Sequence, residues 1–324
     1  MKRRGDGVAL ETRSDAPATE GLDVDEPGQP AVAETGREPA VGSSRWARIG
    51  GWAFLFFVLA LLYVPLLILI LFSFNDSIII ALPFKRFTLE WYRQVLSDPR
   101  VLGALGNSFL LAATVTPVCL VLGTLAAVGL TRFRFRWRAV AAGMIAAPLV
   151  VPDLLIGVGA LLLFIRLHFT LSLRSIFLMH VVDFFPVVTA IVSAQLFRFD
   201  RSLEEAALDL GATRREVLRY IIVPLLGPAL GASAIIVFSW SFNDLVVAFF
   251  TAGFQTTFPI WVYATLRHAV NLPVVNAIAT IVTLGQIVII YTGWRLARRF
   301  SAARADDRGE ATGLLTLEGI GGGR

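Results

Sequence analysis

The chain of 324 residues has one cysteine, Cys119, which excludes an internal disulfide and a thiolate metal cluster. Its three histidines, His168, His180 and His268, fit no metal-ligand spacing, and His180 with Asp183 gives at most half of such a site. The two lysines, Lys2 and Lys85, do not follow glycine, so the Gly-Lys-Ser/Thr of a phosphate-binding loop is absent. No Gly-x-Ser-x-Gly nucleophile elbow occurs either. No metal, no cofactor and no enzymatic activity are therefore expected. Charge is also scarce, at 16% of residues against about 25% in an ordinary soluble domain. With 56% hydrophobic residues and a mean hydropathy of +0.70, the composition excludes a disordered chain, a fibrous protein and a soluble enzyme. What remains is a membrane protein.

Residues 1–48 stand apart. Nine acids among Gly, Pro and Ala, with almost no large apolar side chains, predict a disordered tail that cannot offset its own conformational entropy. Six apolar stretches follow, at 51–74, 105–131, 139–165, 176–197, 229–250 and 274–294, each long enough to cross a bilayer and free of Lys and Arg. The first is too long for a signal-peptide core, so it reads as an uncleaved anchor. Alternating β-barrel segments are absent. The expected fold class is all-α, a polytopic bundle of six transmembrane helices within a domain over 49–297, with a tail over 298–324.

Lys and Arg set the orientation. With both termini cytoplasmic, the inner segments hold 22 basic residues and the outer ones 7. The run Arg132-Phe133-Arg134-Phe135-Arg136-Trp137-Arg138 alternates charge with aromatics, as a nucleic-acid patch can. Lying between two spans, it reads instead as a positive-inside loop facing lipid headgroups, and no nucleic-acid partner is expected. In the outer loop, Leu89, Tyr92 and Leu96 share one face at helical spacing, which predicts a short helix on the membrane surface.

The inner loop 198–228 is too long for a turn and too regular for disorder. Ser202-Leu203-Glu204-Glu205 fits a capping box, and Gly211 is placed to end the short helix that follows. Thr213-Arg214-Arg215-Glu216 fits a second capping box opening a helix over 214–222, which Pro224 closes. Two short helices bent at Gly211, with small residues at Ala206 and Ala207, make a docking shape. The spacing Glu205-Ala206-Ala207, three residues, Gly211, nine residues, then Ile221, one residue and Val223-Pro224 resembles the EAA signature of permease subunits in binding-protein-dependent ABC importers. That signature ends Ile-x-Leu-Pro, and Val223 replaces its leucine. The resemblance implies that Glu205, Ala206, Ala207, Gly211, Ile221 and Pro224 couple the chain to a cytoplasmic ATPase subunit. It also implies an extracytoplasmic solute-binding protein and a second permease subunit as partners.

Across residues 50–297 the chain resembles the spermidine/putrescine class of these permeases. The carriers are Ser73-Phe74-Asn75, Phe87-Thr88-Leu89-Glu90-Trp91-Tyr92, Pro152-Asp153-Leu154-Leu155-Ile156-Gly157, Ser241-Phe242-Asn243-Asp244 and the stretch 274–280. That resemblance favours a second permease that is a different chain. Permeases for iron, thiamine or phosphonate compounds share parts of these patterns, and an ion-coupled secondary carrier is the reading from another mechanistic class. The residues point the same way as the polyamine class. Asp153, Asp183 and Asp244 lie inside spans whose only basic side chain is His180, and a charge in the membrane costs several kcal/mol. Either they line a path for cations, with Asn243, Ser241 and Gln195 as further lining residues, or each is bonded to a neighbouring helix.

Overall fold

The computed structural model describes residues 45–77, 84–268 and 272–318, with side chains described apart from 46, 47 and 296–318. The tail read as disordered lies outside the described residues up to position 44. The chain parts into two compact units, Met1–Val58 and Leu59–Arg324. Residues 45–58 are the described part of the first unit, and Trp52, Phe54, Phe56 and Phe57 are all exposed there. They belong to α1 (Arg45–Phe72), an apolar helix suited to face lipid, where exposed apolar side chains incur no cost.

Within the second unit, α2 (Glu90–Ser97) leads into α3 (Pro99–Arg132). Asp98 caps α3 by accepting the Arg100 backbone N–H at 2.8 Å, and Pro99 follows where no N–H is needed. The third apolar stretch is not one helix. It forms α4 (Arg138–Val150) and α5 (Asp153–Arg166), bent by 105° at Val151-Pro152. Pro152 forces Val151 out of the helical region, to ψ 130°, so the turn is written into that dipeptide. Next comes α6 (Leu173–Phe197), whose Ser172 and Ser175 cap each other's backbone. The described residues thus hold five helices long and apolar enough to span, with the bent pair as a sixth.

The inner loop forms α7 (Ser202–Asp209) and α8 (Arg214–Glu216). Gly211 turns the chain between them at φ +89°, a left-handed conformation that a side chain would strain. The second capping box is present, with Thr213 and Glu216 bonded reciprocally. The first is not: Arg201 occupies the cap position, and Asp200 accepts the Ser202 N–H instead. Nor does Pro224 close the unit. A π-helical turn, Val217–Ile222, carries the chain directly into α9 (Val223–Asn243). The widened turn absorbs the hydrogen bond that Pro224 cannot donate. The fifth span then breaks at Asp244, whose extended backbone separates α9 from α10 (Val246–Thr251). Then come α11 (Phe258–Arg267) and α12 (Leu272–Glu318).

Lipid tails are as apolar as leucine, so close packing rather than exclusion from water holds such helices together. The main core joins Val115, Cys119 and Ala127 of α3 to Val188, Val192 and Leu196 of α6 and to Leu226 and Val237 of α9. Gly123 permits it, since a Cβ there would lie 2.5 Å from the Val188 Cβ and 2.9 Å from the Phe185 carbonyl. A second core packs Val95 of α2 against Val101, Phe242, Phe258 and Ile278. The outer helix therefore docks through Trp91, Tyr92 and Val95, so Tyr92 of the expected apolar face packs inward while Leu89 and Leu96 stay exposed, as a face against lipid would. The Trp91 indole donating to the Asn75 carbonyl at 2.9 Å rotates it that way.

Candidate functional site

The two breaks, between α4 and α5 and between α9 and α10, open onto one cavity of about 550 Å³. Asp153, the first residue of α5, sits where a helix N-terminus favours a carboxylate. Asp183 comes from the middle of α6, buried beside Phe184, and makes no hydrogen bond with the described residues. Asp244 comes from the α9–α10 break. All three line the cavity, as do Asn243, Phe184 and Trp240, and among the described residues no Lys or Arg stands in its wall. The Asn243 amide is turned back to the Ser239 carbonyl at 2.8 Å. Gln195 is not among the lining residues, and Ser241 is buried behind them. Gly157 lets α5 approach closely, because a Cβ there would meet the Phe250 ring at 2.8 Å.

His180, the basic side chain within the spans, has partners that its position in the sequence does not reveal. It is fully buried, and its Nε2 lies 3.1 Å from Asp244 Oδ2 while its Nδ1 lies 2.9 Å from the Ser241 hydroxyl. A carboxylate only accepts, so Nε2 carries the hydrogen, and in the neutral ring Nδ1 accepts from Ser241. Asp244 Oδ2 also accepts the Ala248 backbone N–H at 2.8 Å, in the first turn of α10. One oxygen of Asp244 is thus held twice, and Oδ1 has no partner among the described residues. The spacing of His180 and Asp183 suggested a pair along one helix; the bond runs across helices, which only tertiary structure reveals. Among the described residues, no group of three or more His, Cys, Asp and Glu could hold a metal.

The residues of the EAA spacing do not all point one way. Glu205 and Ala206 are exposed on α7, whereas Ala207 and Ile221 pack partly against the main core. Glu204, one residue before, faces Arg132 at the end of α3 in an ion pair. That pair borders a groove of about 470 Å³ that Glu205, Arg201 and Arg214 also line.

Residues 119–301 match the family of binding-protein-dependent transport system inner membrane components. The chain belongs to that family. It is an inner-membrane permease of an ABC importer, a transport component rather than an enzyme. It is 38% identical over 255 residues to the putrescine transport system permease protein PotI of Escherichia coli K12, covering 76% of this chain and 90% of that one. It is 34% identical over 242 residues to the spermidine/putrescine transport system permease protein PotC of the same strain, covering 74% and 91%. Its fold matches a crystal structure of a bacterial ABC transporter involved in the import of the acidic polysaccharide alginate, with a TM-score of 0.62 at 18% identity, over 78% of this chain and 97% of that one.

Proposed function

We propose that this permease forms the translocation path of an ATP-driven importer for a polyamine such as putrescine or spermidine. The observation that carries this reading is the wall of the cavity: three carboxylates, two aromatic rings and, among the described residues, no Lys or Arg. A chain of methylenes with ammonium ends suits such a wall, because carboxylates take the charges and ring faces attract alkylammonium groups. The names of the relatives point to the same cargo. The termini are placed in the cytoplasm by the basic residues of the inner loops. On that side Glu205, Ala206, Ala207, Gly211, Ile221 and Pro224 form the coupling segment for an ATPase subunit, with Glu205 and Ala206 exposed on it and Ala207 and Ile221 seating it on the bundle. A solute-binding protein delivers cargo from the other side, and a second, different permease chain completes the path. The domain runs over 49–297, between an acidic N-terminal segment and the C-terminal segment.

The test is reconstitution with the ATPase, the second permease and the binding protein, followed by labelled putrescine uptake. Uptake is expected to require ATP and to fall about tenfold or more in Asp244→Asn, with the ATPase still bound. Unchanged uptake in that variant would remove Asp244 from the path. Uptake that follows an ion gradient without ATP would overturn the importer mechanism.

A further inference from the structure

Adjacent carboxylates on α7 point in opposite directions. Glu205 is exposed, while the Glu204 side chain is 14% exposed against an Arg132 side chain that is 11% exposed. Arg132 closes α3, whose other residues build the main core with α6 and α9. Beside this ion pair, Ala207 seats α7 against the main core. Arg132 Nε and Nη2 and Glu204 Oε1 are all buried without a hydrogen bond, so charge rather than a set of aligned hydrogen bonds joins the pair. Ion pairs removed from water return little net stability, because desolvation offsets their attraction. A pair of this kind, joining a short surface helix to a central span, is better suited to fix position than to hold the fold together.

We propose that Arg132 and Glu204 form a charged strut that carries movement of the coupling helix α7 into α3. Neither residue belongs to the EAA spacing, and both act as positioning residues. Glu204 holds α7 to the bundle while Glu205 faces the ATPase. From Arg132 the load passes along α3 to the close contact at Gly123 and Val188, and so to α6, which carries Asp183. The proposal rests on the reading of α7 and α8 as the ATPase contact.

The experiment uses the assembled transporter with a spin label at Leu125→Cys, an exposed position of α3, in a Cys119→Ser background. The readout is the change in the label's spectrum on trapping with ATP and vanadate, which needs no cargo. That change is expected in the otherwise native chain, absent in Arg132→Glu and in Glu204→Arg, and restored when both reversals are combined. Arg132→Lys, which keeps the charge, is expected to keep it. Putrescine uptake should fall about tenfold in the single reversals and recover to within about threefold in the swap, the usual range of a coupling free energy. No spectral change in the native chain, a change that persists in either single reversal, or a swap no better than the singles would overturn the strut. Failure of the ATPase to co-purify with the native chain would be a different result, overturning the contact itself and the strut with it.

Discussion

Asp244 stands at a break between two helices and Glu205 on the short helix before the bend at Gly211, and the protein treats the two carboxylates in opposite ways. The Asp244 side chain is 10% exposed, with Oδ2 taking both His180 Nε2 and the Ala248 N–H. Glu205 is exposed, and its carboxylate makes no hydrogen bond among the described residues. The interruptions differ to match. In the membrane, Pro152 and Asp244 break spans so that backbone and carboxylate face a cavity, the one place where irregular backbone is tolerated at that depth. At the surface, Gly211 bends the chain and water solvates whatever is left over. A carboxylate bonded in advance is held in place, whereas a bare one awaits a partner.

The largest expected effect breaks the first side of that comparison. His180→Leu removes a donor from Asp244 and strands the Ser241 hydroxyl, both in a buried setting. Leaving such buried hydrogen-bonding groups unsatisfied costs about 1–3 kcal/mol. Thermal unfolding of the purified protein should shift markedly downward, and His180→Asn, which keeps a donor, should recover part of the loss. Glu205→Gln should leave the unfolding midpoint where it is and weaken ATPase co-purification instead. Equal midpoints for His180→Leu and the native chain would show that Asp244 is not held as described.

Gly211→Val tests the other side. A β-branched residue at φ +89° costs about 1–3 kcal/mol of backbone strain, and the bend should open. ATPase co-purification is expected to fall while the cavity, on other helices, keeps its shape. Asn at the same position should be milder, since it tolerates the left-handed region. Normal co-purification in Gly211→Val would separate the bend from docking. A smaller loss follows for Thr213→Ala, about 1 kcal/mol for the cap that holds the second arm, measurable as a drop in the unfolding midpoint.

The spans were legible because apolar length is a local property, and the second capping box and Gly211 because caps are local too. Breaks and faces were less so. Pro152 was visible, but a membrane helix can also bend gently at proline, and the 105° turn depends on what α5 packs against. Pro224 looked like a stop, yet the π-helical turn ahead of it lets the helix pass. Around α2, helical spacing puts Leu89, Tyr92 and Leu96 on one face, but the Trp91 hydrogen bond to Asn75 and the fit of Val95 decide that Tyr92 packs inward and the two leucines do not. The three aspartates could be named from composition, since acids are rare in spans. Their meeting in one cavity, the bond from His180 and the pairing of Arg132 with Glu204 all join residues far apart in the chain, and no local pattern encodes them.

Asp98 lies between the two extremes, bonded like Asp244 but open to water like Glu205. The Arg100 backbone N–H, with its guanidinium adding to it, holds the Asp98 carboxyl below the usual carboxylate range. A carboxyl whose value is lowered by folding stabilises the fold above its unfolded value, about 3.9, and that contribution is lost as pH falls through the lower folded value. Asp98→Asn still accepts the Arg100 N–H but carries no charge, so the difference from the native chain isolates the charge. At neutral pH it should be a few tenths of a kcal/mol up to about 1, the worth of an anion at an exposed helix N-terminus, and salt should shrink it. Unfolding measured from pH 7 downward should show this gap begin to close below about pH 3.9. A gap that stays constant through that range would mean that the Asp98 cap works by hydrogen bonding alone, and that charge matters only where the protein excludes water.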